Sequence, residues 1–122
     1  MANTIDLTGK ITLKNNTTNK TNIVEQIAYS LTGVKEWDSR KITIAPNTLD
    51  ESISLAGVSN LSFLYIHATS PITVKLNGAT TASSKGTVFL FTGQTGGFIT
   101  QLEISNAEVV ESEITLILGG VE

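Results

Sequence analysis

A single histidine, His67, and no cysteine at all in 122 residues remove most of the reactive chemistry that a small chain can carry. Thiol catalysis, iron-sulfur clusters, cysteine zinc sites and disulfide frameworks all need the missing thiols, and a multi-histidine metal site within one chain needs more than one imidazole. His67 could join one of 11 serines and Asp6, Asp38 or Asp50 in a Ser-His-Asp site, but no Gly-x-Ser-x-Gly elbow frames a nucleophile. The glutamates sit in acidic segments without the aromatic cluster that lines a sugar-cleaving carboxylate pair. GQTGG at 93–97 and SSKGT at 83–87 lack the Gly-Lys-Ser/Thr ending of a phosphate loop. Asp38, Asp50 and Glu51 lack the alternating ligands and glycine of a calcium loop. The expectation is a protein without catalytic, cofactor-binding or metal-ligating residues.

Binding is then the chemistry left to the side chains. Trp37, in the polar segment KEWDSRK, is the one tryptophan, and it offers a flat face either to a subunit interface or to a sugar ring. Residues 15–22, NNTTNKTN, contain nothing apolar and read as an exposed loop in which Asn16 and Asn19 are placed for contacts. The Asn-x-Ser/Thr sequences at Asn15, Asn16, Asn19 and Asn60 are more simply turn chemistry than glycan acceptors. Beyond Lys85 there is no cation, whereas Glu103, Glu108, Glu111, Glu113 and Glu122 supply five carboxylates. That run either faces a basic partner, with Glu108 and Glu111 as contacts, or keeps strand edges from pairing. A net charge of -3 gives no electrostatic footprint for nucleic acid. The longest apolar run, VFLF at 88–91, is far short of a membrane-spanning helix, and MANTIDLTGK has no secretory signal pattern.

The elements that must carry these groups read as strands. Val, Ile and Thr number 8, 13 and 18, all β-branched, against 8 alanines. The length fits one domain, residues 1–122, with 1–22 as an N-terminal strand followed by an exposed arm or loop. Ile5, Leu7, Ile11 and Leu13 alternate with polar residues, which predicts a strand with one buried face. IVEQIAYSL at 23–31 fits both periods. Asn22 with Glu25 resembles a capping box and Gly33 a helix stop, so a short helix over 23–32 stays open beside a strand. Ile42 and Ile44 lead to a Pro46-Asn47 turn; Leu49, Ile53 and Leu55 share one face before Ala56-Gly57. LSFLYIHA at 61–68, apolar on both faces, reads as the central strand, with His67 partly buried or at an interface and Tyr65 in the core. Thr69-Ser70-Pro71 reads as a break. Ile72, Val74 and Leu76 then run into Asn77-Gly78, a type I′ hairpin signal. Strands at 87–92, 98–105 and 114–118 follow, with a turn at Asn106-Ala107. About eight short strands at this spacing predict an all-β antiparallel sandwich, jelly-roll-like.

From about residue 41 the chain carries KITIAPNT, SNLSFLYIHATSPITVKLNG, GTVFLFTG, ITQLEISNAE and ITLILGG, in that order. This series resembles the small β-sandwich structural proteins of tailed-phage virions. The likeness covers about two thirds of the chain, leaves out residues 1–40, and lies in strand and turn patterns rather than in reactive groups. It implies a non-enzymatic virion protein, assembled in the reducing bacterial cytoplasm, most simply a cement or decoration subunit on the major capsid protein. It also implies a homo-oligomer. The alternatives are a neck, tail or fibre component, or a small glycan-binding sandwich.

Overall fold

The computed structural model describes residues 3–92 and 98–121. Seven strands account for its regular structure: β1 (Asn3–Lys14), β2 (Thr21–Ile44), β3 (Thr48–Ile53), β4 (Leu61–Leu76), β5 (Gly86–Thr92), β6 (Leu102–Asn106) and β7 (Ser112–Val121). All pairings are antiparallel. Among the described residues there is no helix, hence none long and apolar enough to cross a membrane.

Hydrogen bonding runs in the order β1-β2-β7-β4-β6-β3, with β5 also on β4. β4 belongs to two leaves. Leu61 to Ala68 lie between β7 and β5, whereas Thr73 to Leu76 pair with β6. The chain direction changes leaf around Ser70-Pro71, where a prolyl nitrogen could not donate to a ladder anyway. The two leaves enclose a sandwich-like core. Ile44, Leu64, Ile66, Ile114, Leu116 and Leu118 come from one leaf and Val74, Leu102 and Ile104 from the other, with Ile72, opposite Gly86 of β5, at the junction, all buried. Even-numbered residues of β7 point inward because a strand alternates sides at every residue. Each such side chain contributes about 1.5–3 kcal/mol on leaving water.

One buried polar side chain ties the loops of this core. Asn106, fully buried, donates from Nδ2 to the carbonyls of Ile44, Ala45 and Val110, while its Oδ1 accepts the Glu108 N–H. It thereby satisfies backbone groups that the β2–β3 and β6–β7 connections would otherwise leave unpaired.

The segment over 23–32 is strand, not helix: it lies inside β2, with Ile27 opposite Gly9 and Tyr29 opposite Leu7. A lone two-turn helix is marginal, and a long partner strand satisfies every second backbone group instead. Gly33 does adopt a positive φ of 68°, but it marks the place where β2 passes from β1 to β7, not a helix end. The expected eight short strands become seven because 61–68 and 72–76 are one strand of 16 residues, bent rather than broken at Pro71. β2, at 24 residues, likewise runs through the polar segment around Trp37. Leu49 does not share a face with Ile53; it is 80% exposed, since Asp50 at φ 48° interrupts the alternation. Asn77-Gly78 has the left-handed backbone expected of it, and the turns at Asn47 and Ala56-Gly57 share it. Past Asn77-Gly78 the chain does turn back along the end of β4, where the Ser83 N–H donates to the Val74 carbonyl and Gly86 stands opposite Ile72, although 79–85 are a wide loop and not a tight two-residue hairpin. Of the expected strand 98–105 only the part from Leu102 is a strand; Ile99 makes an isolated bridge to Leu61. The glycine-rich turn at 93–97 lies outside the described residues.

Candidate interaction surface

Most of the chain packs into the sandwich, but among the described residues β1 pairs only with the first part of β2. The two form a long hairpin, the arm, closed by the turn at 15–20. Asn15 Oδ1 accepts the Thr17 and Thr18 N–H groups, and Asn19 takes φ 58° to complete the reversal. At roughly 3.4 Å per residue the 12 residues of β1 reach about 40 Å.

The arm is two-faced. Thr4, Asp6, Thr8, Lys10 and Thr12 make one side of β1 polar, with Ser30 Oγ donating to Asp6 Oδ1 at 2.6 Å across the pair. Ile5, Leu7, Ile11 and Leu13 make the other side apolar. Near its base this side lies on the outer face of the β2-β7-β4 leaf. There Trp37, Gly119 and Phe63 are level across the three strands, as are Ser39, Ile117 and Tyr65. Tyr29 stacks on Phe63 with ring centroids 6.3 Å apart and planes at 21°. Ile5 Cδ1 occupies the place a side chain at position 119 would take, which is why glycine stands there. Farther out the same stripe has no cover: Ile11 is 54% exposed and Leu13 65%. The buried face expected of the 5–13 strand is therefore buried only at its start.

Two depressions open beside β1 on this outer face. One of about 530 Å³ is lined by Asn3, Ile5, Val34, Trp37 and Ile117 among others, and one of about 220 Å³ by Ile5, Leu7, Phe63, Tyr65 and Ile117 among others. Their lining is mostly aliphatic and aromatic. Such a surface takes apolar side chains by excluding water, with Asn3 and Thr4 at the larger depression and Asp6 at the smaller as its polar lining. No three His, Asp or Glu side chains among the described residues converge as metal ligands.

The residues singled out from the sequence fall in three separate places. Trp37, 64% exposed, borders the larger depression. Asn16 and Asn19 sit together in the exposed turn at the arm's tip. Glu108 and Glu111 lie in the connection from β6 to β7, at the opposite end of the β2–β7 pair from the arm's base. Glu108 is engaged by Lys85 Nζ at 2.9 Å, so the last cation of the chain partly neutralises the acidic run. His67 is exposed on the outer face beside Val88 and Thr115, not partly buried, and Tyr65 is half-buried under the arm rather than in the core. Asp50 binds Lys75 Nζ at 3.1 Å and Ser105 Oγ at 3.2 Å, a structural cross-strand network. Asp38 and Arg40 approach each other to 3.5 Å, and the Arg40 guanidinium also donates to the Ser54 carbonyl.

Ile11, Leu13, Phe63, Tyr65 and Ile117 were not separable from core residues by sequence, because alternation looks the same whichever sheet face meets a partner. No protein-family model matches the chain, and neither a curated protein nor a solved structure matches it at a significant level.

Proposed function

We propose that the chain is a non-enzymatic structural subunit that works through protein contacts, and that its place is the virion of a tailed phage, as cement on the major capsid protein. The observation that carries the first part is the arm: a hairpin bonded to no other strand, with Ile11 and Leu13 turned outward on its apolar side. Exposed apolar side chains in a row on one element mark contact surfaces. The virion placement rests on the sequence resemblance over residues 41–120 alone. Cement of this kind stabilises a shell by mass action, binding the assembled state and not its parts. Antibody against the purified chain, applied to virions from the source culture, tests the placement. Labelling of heads is the expected result; virions that lack the chain sink it, and labelling confined to tails moves the chain to a neck, tail or fibre role.

A glycan-binding role is the second reading, favoured by the exposed ring of Trp37 at the edge of the larger depression. Stacking of a sugar on that ring predicts glycan-array binding that disappears in Trp37→Ala. Binding that survives the change refutes it.

A further inference from the structure

Among the described residues the arm has two long unpaired edges, the outer edge of β1 and the far side of β2 before it reaches β7, and only that of β1 lies along the two depressions. β1 stands at the end of the strand order, so the backbone N–H and C=O groups on its far side have no strand to meet over 12 residues. Such an edge is a template for another strand unless something blocks it. β1 contains no proline, and both irregularities in the β1–β2 pairing place the extra residue on β2, leaving β1 in unbroken alternation; its charges, Asp6, Lys10 and Lys14, oppose a generic strand and admit one that matches them in sign.

From this edge we infer that the chain forms a two-fold symmetric dimer in which the β1 strands of two copies pair antiparallel, Thr8 opposite the partner's Thr8. The sequence NTIDLTGKITLK is self-complementary about that residue. Asp6 then faces the partner's Lys10, and Lys10 the partner's Asp6. Thr4 faces Thr12, Ile5 faces Ile11, and Asn3 faces Leu13. Charge thus meets opposite charge, threonine meets threonine and isoleucine meets isoleucine, while Leu7 lies opposite Gly9 and the Asn3–Leu13 pair at each end is mixed. A register one residue away would set every side chain against the wrong face. Opposite charges directly across strands favour the pairing, and a closed two-fold contact uses the same patch on both copies.

The depressions give the second argument. Both open along β1 near its start, at Asn3, Ile5 and Leu7. This register delivers the partner's Leu13 and Ile11 to Asn3 and Ile5, over the hollow bounded by Trp37 and Ile117. Ile11 and Leu13, the exposed apolar side chains of the lone β1, are therefore carried to the larger hollow between β1 and the body. Each arm reaches across to the other copy's outer face, so the two bodies sit at opposite ends of a four-stranded ribbon. The inference rests on reading the arm as an assembly element and is independent of the virion placement.

Native mass across a concentration series is the first test, with a dimer expected; a monomer at every concentration up to the solubility limit overturns the proposal. The register is tested by charge. Asp6→Lys sets like charges opposite each other twice per dimer and raises the dissociation constant roughly tenfold. Asp6→Lys with Lys10→Asp restores it; a double variant as weak as the single one rules this register out. Because the chain has no cysteine, Thr8→Cys introduces a single thiol on the two-fold axis. Oxidation must then yield a covalent dimer, and a dimer that fails to cross-link is held by some other surface. Virion labelling reads none of these quantities, so the two readings fail separately.

Discussion

The body and the arm are made of the same strand-forming residues, yet they are held by different forces. In the body, Leu64, Leu116, Leu118 and Ile104 are sealed between two leaves, and Asn106 fastens the connections at one end. In the arm, two strands hold each other by a ladder, and only its base, through Ile5, Tyr29 and Leu31, rests on anything else. An isolated two-stranded hairpin is marginally stable in water. The contrast shows that strand propensity forms the ladder while burial decides its stability. The arm opens at a small fraction of the free energy needed to unfold the body.

Adjacent glycines at the end of β7 separate the two regions most sharply. A β-carbon at Gly120 would collide with the backbone carbonyl of Ser59 and crowd Val58, inside the body. Backbone cannot swing aside as a side chain can. Gly120→Ala therefore destabilises the folded state by about 3 kcal/mol, the upper end for overpacking, as read by denaturant melts. A loss below about 1 kcal/mol would mean that the Ser59 segment is looser than the body's packing implies.

Gly119→Ala acts one residue away and in the other region. Its β-carbon collides with Ile5 Cδ1, the movable end of an arm side chain, while Leu31 Cδ2 and Phe63 Cβ at 3.6 Å remain in ordinary contact. The body's melt shifts by no more than about 1 kcal/mol. The arm lifts at its base instead, and amides of β1 near Ile5 exchange faster. If the melt falls as far as for Gly120→Ala, arm and body are one cooperative unit and the contrast between them is wrong.

The same contrast explains what the sequence could reveal. Alternation in β7 names the core, because burial on one side leaves a period-2 record, whereas the doubly apolar run of β4 gives Leu64 and Ile66 to the core and Phe63 and Tyr65 to the face under the arm. The turns at Asn47, Gly57 and Gly78 are legible because a left-handed backbone restricts residue choice. What could not be read is where long-range pairing overrides a local signal. Asn22, Glu25 and Gly33 spell a helix, yet β1 supplies a strand partner. Pro71 spells a stop, yet β4 only changes leaf there. The stripe Ile5, Leu7, Ile11, Leu13 is visible in the sequence, but its division into a covered base and an open tip depends on where Phe63, Ile117 and Gly119 lie in space. Trp37 stood out by type alone. The side chains around it, drawn from β1, β2 and β7, share no spacing that a linear reading could have joined.

The smallest effect is expected at the far end of the arm. Asn15 Oδ1 accepts two N–H groups, from Thr17 at 2.9 Å and Thr18 at 3.1 Å, and holds the turn that starts β2. Asn15→Ala removes both acceptors at an exposed site, where water replaces them, so the local loss stays within about 0.5–1.5 kcal/mol. Because no residue of this turn packs on the core, the body's melt stays within about 0.5 kcal/mol of the parent. Faster exchange should appear at the amides of Thr17 and Thr18 and fade toward Tyr29, where stacking on Phe63 takes over from the turn as the restraint. A change that travels past Tyr29 into β7 would show that the turn, and not the contact with the outer face, sets the order of the arm.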